Sequence, residues 1–471
     1  MRDEVDELLA PCAAALRLLG MWGVATRRGV FVLLLNLAGT ACAAVTLAFQ
    51  PPRDLERLAM NAYVCAQGTL LSVKVAAFLW HRKRLRQLAL QLVSCWRKFE
   101  DVGGGVRAIY RSQAARVVRY MQVMTGIPTM MWMLEPLFSG GEDSPQGRSL
   151  PLPTWLPDAL QQSPTYELLY VLQVFTIVVA IAVSVYLNIF FAVLMLSIAA
   201  ELHVLNNNMM AMGKFGDNET DEPCKRDEGV PRDRVTSSLL SSHRRPRGKL
   251  VAAGNSLPRP VAVYTQNGSH EQMYHQLMKN IRHHQVILRS VAELQKAMTH
   301  SIFVLLFLNM LNICVVIFAG STLLQKQADQ VAMYKMLFSV PIYMYETGFF
   351  CVVGQTIIDQ GERLSMSAFA SAWLDSPRKL HRLLLVFMLR CTRPPTITVG
   401  KTYTLSKRTF LRILNGSYTM FNMLYQFQRK RYLKDIDFKT SRPTRKPKLT
   451  AAMKAKGLKW AKHWCDKDVD F

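Results

Sequence analysis

Seven stretches of this chain are predominantly apolar over about 20 residues or more, the length a helix needs to cross a hydrocarbon core about 30 Å thick. They lie at 29–49, 58–80, 118–138, 168–199, 300–323, 332–358 and 405–427. In lipid every backbone polar group needs a partner within the protein, and a contiguous apolar run meets that need as a helix. The expected fold class is an all-α membrane protein with seven transmembrane helices. The fourth run is long enough to tilt or to extend past the bilayer. The seventh is the weakest by hydropathy, because Arg408, Arg412 and Asn415 interrupt it.

Composition agrees with the membrane class. Half of the 471 residues are apolar and only 19% are charged, against about 25% in an average soluble protein. The net charge of +25 gathers in particular loops, and no base-stacking or phosphate-binding module accompanies it, so no nucleic-acid partner is expected. Arg82, Lys83, Arg84 and Arg86 follow the second run. Arg244, Arg245 and Arg247 precede the fifth, and Arg378, Lys379 and Arg382 precede the seventh. The loop after the third run carries Glu142, Asp143 and Asp158 against Arg148. Positive loops stay in the cytoplasm. The N-terminus (1–28) is therefore expected to be cytoplasmic and the C-terminus extracellular, opposite to a G-protein-coupled receptor. The acidic start lacks the basic region and cleavage site of a signal peptide, so the first span is expected to insert uncleaved. Nine cysteines are scattered without a CxxC pair, and most read as free thiols.

Residues 214–270 are rich in Gly, Pro, Ser and Arg and read as a flexible cytoplasmic insertion. Residues 428–471 form a basic tail of unknown role, expected to be solvated. Two further segments, 271–299 and 360–390, are amphipathic helical candidates. In the second, Leu364, Phe369, Trp373, Leu380, Leu384 and Phe387 alternate with basic residues. It suits either a helix lying at the interface or one that packs against copies of itself.

No enzymatic motif is present: GxSxG, HExxH, a Walker loop and a GxGxxG in strand–helix context are all missing. The chain is not expected to be an enzyme or to need a cofactor. His283 and His284 are adjacent and so project to different sides of a helix, which argues for a solvated face over a metal site. The sequons at Asn218, Asn267 and Asn415 fall in the cytoplasmic insertion or within a span, where no sugar is added. Two charges lie inside apolar runs. Lys74, near a cytoplasmic end, is expected to snorkel. Glu346 must face a partner, a cavity or water.

Met130, Met131, Trp132, Tyr166, Tyr170, Tyr334, Phe338, Tyr343 and Tyr345 cluster toward the outer halves of their helices. Such residues fill a helix bundle, and they also make adaptable surfaces for small apolar ligands. In the last run, Asn415, Thr419, Asn422 and Gln426 share one helix face, with Tyr418 and Tyr425 beside it. That stripe either glues helices together or lines an aqueous path.

Five stretches carry a family resemblance: "LRLLGMWG" (16–23), "SLPLPTWLPDALQQSPTYELLYVLQ" (149–173), "HHQVILRSVAELQKAMTHSIFVLLF" (283–307), "CVVGQTIIDQGERLSMSAFASAW" (351–373) and the run from Arg378 to Leu424. In this order and spacing they resemble the insect odorant receptors of the ligand-tuned kind, not the coreceptor. The resemblance implies a seven-transmembrane domain over 29–427 with its N-terminus inside, and a cytoplasmic anchor over 360–400. It implies an odorant-gated nonselective cation channel for the sense of smell. The channel would be a heterotetramer with the shared odorant coreceptor, in the plasma membrane of olfactory sensory neurons, with membrane lipids around it. A volatile odorant would bind residues such as Trp132, Tyr170, Tyr334 and Tyr343. The last helix would line the pore, with Tyr418, Phe421, Asn422 and Tyr425 at the pore and gate and the narrow ring on Phe421 and Tyr425. The related gustatory receptor channels end in a Thr-Tyr…Gln-Phe pattern. Gln426 and Phe427 are present here, but their spacing from Tyr418 differs. A metabotropic seven-helix receptor is the alternative from another class, and it requires an outside N-terminus.

Overall fold

A computed structural model describes residues 2–23, 26–49, 55–139, 150, 152, 164–212, 262–326, 330–371, 377–400, 403–435 and 451–465. Two short helices open the chain, α1 (Arg2–Leu8) and α2 (Ala13–Leu18). They bury Val5, Leu8, Leu9 and Leu16 in the main core, and Trp22 beyond them reaches the ring of Phe190 at 5.3 Å between centroids. Five long helices follow: α3 (Thr26–Phe49), α4 (Leu55–Lys98), α5 (Val106–Ser139), α6 (Thr165–Ala211) and α7 (Ala262–Lys326). Next come α8 (Gln330–Phe369) and α9 (Arg378–Cys391), then a two-residue hairpin of β1 (Thr398–Val399) and β2 (Tyr403–Thr404). The described elements end with α10 (Lys407–Asp435) and α11 (Ala451–Cys465). By contact the chain divides into two units, Met1–Tyr418 and Thr419–Phe471.

In the first unit α6 is apolar on every side, and most of its side chains from Val183 to Met209 are buried. A helix apolar all round belongs in the middle of a bundle. Accordingly α3, α4, α5, α7 and α8 all pack against it. The outer helices α3 and α5 are also apolar, yet they expose Phe31, Leu34 and Leu37, and Val123, Ile127 and Met130. Apolar faces of that extent suit lipid as the solvent. Among the described residues, four helical segments are long and apolar enough to cross a membrane by length and composition: Arg27–Phe49, Asn61–Lys98, Thr165–Ala211 and His270–Thr322. The other three expected runs fall on α5, α8 and α10.

Two glycines set close helix approaches. A Cβ at Gly68 would lie 2.1 Å from Thr40 Oγ1, so α3 and α4 touch there backbone to side chain. A Cβ at Gly354 would lie 2.5 Å from the Leu405 carbonyl, so the segment entering α10 lies flat on α8. The hairpin pairs Thr398 with Thr404 and Val399 with Tyr403. It is held to α7 by Gln295 Nε2, which donates to Thr398 Oγ1 at 2.5 Å.

Several expectations need correction. The 360–390 segment is not one helix: α8 ends at Phe369 and α9 begins after Pro377. Pro377 has extended backbone geometry and precedes the first turn of α9, where its missing amide hydrogen costs nothing. Trp373 lies outside the described residues. The segment α9 buries Leu380, Leu384 and Phe387 against its own chain and exposes Leu385, Val386 and Leu389. Helix α7 starts at Ala262, inside the stretch read as the 214–270 insertion, while 213–261 is outside the described residues. The tail keeps its solvated character, with 451–459 exposed, but holds helical residues at 428–435 and 451–465. The seven cysteines at 12, 42, 65, 95, 314, 351 and 391 are free thiols.

Candidate functional site

Helices α3, α4, α5, α6 and α8 line a half-open cavity of about 260 Å³. Trp132 and Tyr343, singled out from sequence, both line it. Between them stands Tyr63, with ring centroids 5.7 Å from Trp132 and 6.0 Å from Tyr343. The hydroxyl of Tyr343 also donates to that of Tyr63. Met121, Met124 and Ile177 complete an apolar wall. Pro128 on α5 also lines the cavity, and Pro341 interrupts the hydrogen-bond ladder of α8 just before Tyr343.

Tyr170 is placed differently. Its hydroxyl donates to the Met133 carbonyl at 2.7 Å and its ring faces Tyr166 at 6.3 Å, and it is not among the lining residues. Tyr334 lies on α8, but its side chain is outside the described residues.

One end of the cavity is polar. Lys74 does not snorkel: its ammonium is 2.7 Å from Glu346 Oε1, with side-chain exposures of 3% and 15% for Lys74 and Glu346. Lys74 also reaches Ser184 Oγ at 3.3 Å. Asn188 Nδ2 donates to Glu346 Oε1 at 2.7 Å, and Asn309 Nδ2 donates to Oε2 at 3.1 Å. A buried carboxylate persists when it is paired and hydrogen-bonded, and three helices, α4, α6 and α7, supply these partners. Sequence reasoning flagged both charges but did not join them, because they lie 272 positions apart. It missed Tyr63 and Asn188 altogether. Each is a single residue in an apolar run, with no periodic partner to mark it.

The polar end connects to the last helix. Asn309 is followed on α7 by Met310, whose carbonyl accepts from Ser417 Oγ at 3.1 Å. Ile413 and Ser417 are the buried side of α10, and Leu411, Asn415 and Tyr418 are exposed, Tyr418 at 65%. Farther along, Phe421 and Tyr425 stack with centroids 6.0 Å apart, and Asn422 sits half-buried between them in sequence. At helical spacing, Tyr418, Asn422 and Tyr425 follow Asn415 on one face.

A second buried polar cluster lies past the 168–199 run. Arg107 grips Glu201 with two bonds, Nε to Oε1 at 2.8 Å and Nη2 to Oε2 at 3.0 Å. His283 Nε2 lies 2.9 Å from Glu201 Oε2, and its ring stacks on Phe99 at 4.0 Å. Burial by itself raises the Glu201 carboxyl, but the hydrogen bonds from His283 and Arg107 outweigh it and hold the group below its usual value. The expected solvated face is corrected here: both His283 and His284 are buried, because 283–298 packs on α4 and α6. Among the described residues no group of three or more His, Cys, Asp or Glu could hold a metal.

A family model described as "7tm Odorant receptor" matches residues 54–418. Putative odorant receptor 19b of Drosophila melanogaster is 27% identical over 153 residues, which are 32% of this chain and 39% of that protein. Odorant receptor Or2 of Anopheles gambiae is 22% identical over 292 residues, 61% of this chain and 62% of that protein. The chain thus spans less than two thirds of the length of either relative. The solved structure of the insect olfactory receptor OR5 from Machilis hrabei, in complex with eugenol, matches with a TM-score of 0.64. That match is at 15% identity and covers 91% of this chain and 98% of that one. At that identity the likeness speaks for the fold alone.

Proposed function

Because this chain belongs to the 7tm odorant receptor family, we propose that it is an odorant receptor subunit forming an odorant-gated, nonselective cation channel with the shared coreceptor. The observation that carries this reading is the physical link between the cavity and α10. Glu346 on the cavity wall is held by Asn309, and the next residue, Met310, is held by Ser417. A small apolar ligand filling the space between Trp132, Tyr63 and Tyr343 changes the packing at the start of that link. The conduit is proposed along the part of α10 that carries Tyr418, Phe421, Asn422 and Tyr425, with Phe421 and Tyr425 at its narrow ring.

In this reading the N-terminus is cytoplasmic, the seven runs cross the membrane, and α9 with its flanking segments anchors neighbouring subunits in the plasma membrane of an olfactory neuron. Agonism requires that the odorant bind the open arrangement more tightly than the closed one. Equal affinity for both shifts nothing, however tight. The test is co-expression with an insect coreceptor and recording of current during an odorant panel. Rapid ligand-evoked cation current supports the reading. A response carried only by second messengers, or a sugar added to an engineered N-terminal sequon, overturns it.

A further inference from the structure

Resting on the proposed odorant cavity, we propose that its Glu346 end is a subsite for the hydroxyl group of a neutral alcohol or phenol. Glu346 is the only carboxylate among the described residues lining the cavity. Its hydrogen bonds can be counted. Oε1 accepts from Lys74 Nζ and from Asn188 Nδ2, each at 2.7 Å, and Oε2 accepts from Asn309 Nδ2 at 3.1 Å. A carboxylate offers about four acceptor positions, so one on Oε2 is unused. Ser184, also on the wall, receives Lys74 at 3.3 Å, and its own hydroxyl hydrogen has no acceptor among the described residues.

Charge then decides what kind of group fits. Lys74 and Glu346 cancel, so a carboxylate or an ammonium ligand would enter as an uncompensated ion against a largely apolar lining. An ether or a ketone accepts but does not donate, and leaves the open position on Oε2 empty. A hydroxyl donates to Oε2 and accepts from Ser184 with a single atom. Trp132, Tyr63, Met121 and Met124, which also line the cavity, take an apolar body, and the volume of about 260 Å³ keeps that body small.

The experiment uses the purified full-length chain in detergent and reads thermal stabilisation against ligand concentration. The probes are matched sets: a small alcohol or phenol, its methyl ether and the hydrocarbon lacking the oxygen. The hydroxyl compound is expected to bind about tenfold more tightly than either analogue, the size of one hydrogen bond to a charged group. In the double variant Lys74→Met/Glu346→Leu the preference falls to about onefold, because the acceptor is gone and no lone charge remains. Ser184→Ala, a smaller change that keeps the ion pair, lowers the preference by about threefold, and it carries the test if the double variant does not fold. Equal binding of alcohol and ether by the wild type, an unchanged preference in the folded variants, or no binding by any probe overturns the subsite. Currents recorded in parallel separate the two claims. Hydroxyl-selective binding without any current overturns the channel reading and keeps the subsite. Equal currents and equal binding for alcohol and ether do the reverse.

Discussion

Ser417 Oγ donates to the Met310 carbonyl at 3.1 Å, and a Cβ placed on the neighbouring Gly416 would lie 3.0 Å from the Met310 sulfur. Helix α10 therefore meets α7 at a contact with no spare volume, one residue from the asparagine that holds Glu346. Gly416→Leu is expected to cost about 1–3 kcal/mol by overpacking. Met310→Ala in the same chain should restore part of the loss. Melting temperatures of the two single variants and the double variant check this. Strict additivity of the two changes would mean the side chains do not meet.

The Lys74–Glu346 pair predicts an asymmetry. Lys74→Met leaves a buried carboxylate without its counter-charge, an effect on the order of 3–5 kcal/mol. Lys74→Met/Glu346→Leu removes both charges and should recover most of the lost stability. Surface expression and melting temperature in detergent report both. A double variant no better than the single one would place the two side chains in separate environments.

Glu201 predicts how stability responds to acid. Its carboxyl titrates lower in the folded chain than in the unfolded one. The unfolded state therefore binds the proton more readily, and the stability Glu201 contributes is present above the unfolded value. It is lost as the pH falls through the folded value. Melting temperature followed downward from neutral pH should show this acid limb, and Glu201→Gln should flatten it while lowering stability at neutral pH. An identical limb in the variant would assign the loss to other carboxylates.

Cavity and last helix should separate in recordings. Trp132→Ala and Tyr343→Phe are expected to reorder the potency of odorants while ion permeability ratios hold. Tyr425→Ala is expected to alter permeation and keep the ranking. A reordered ranking with unchanged permeation from Tyr425→Ala would move that residue from the conduit to the cavity.

Much of the architecture can be read in the sequence, because apolar runs of membrane length have few ways to satisfy their backbone. Trp132 and Tyr343 were legible as ligand candidates because they stand in Met- and aromatic-rich runs. The site's polar end was not. Lys74 and Glu346 look alike on paper, each a single charge in an apolar run, and only the packing of α4 against α6 and α8 joins them. His283 was misread for a related reason. The segment 271–299 has the polarity of a surface helix, but tertiary packing closes it around Glu201 and Arg107. The start of α9 was visible in principle, since Pro377 marks a helix boundary, but the amphipathic pattern on both sides concealed it.

Helix α7 runs 65 residues, and between His283 and Asn309 it carries no proline to bend it. At about 1.5 Å per residue those two side chains stand roughly 39 Å apart on one shaft. The Asn309 end holds Glu346 at the cavity wall, and the His283 end stacks on Phe99 beside Glu201. Two buried carboxylates are thus tied to a single uninterrupted helix.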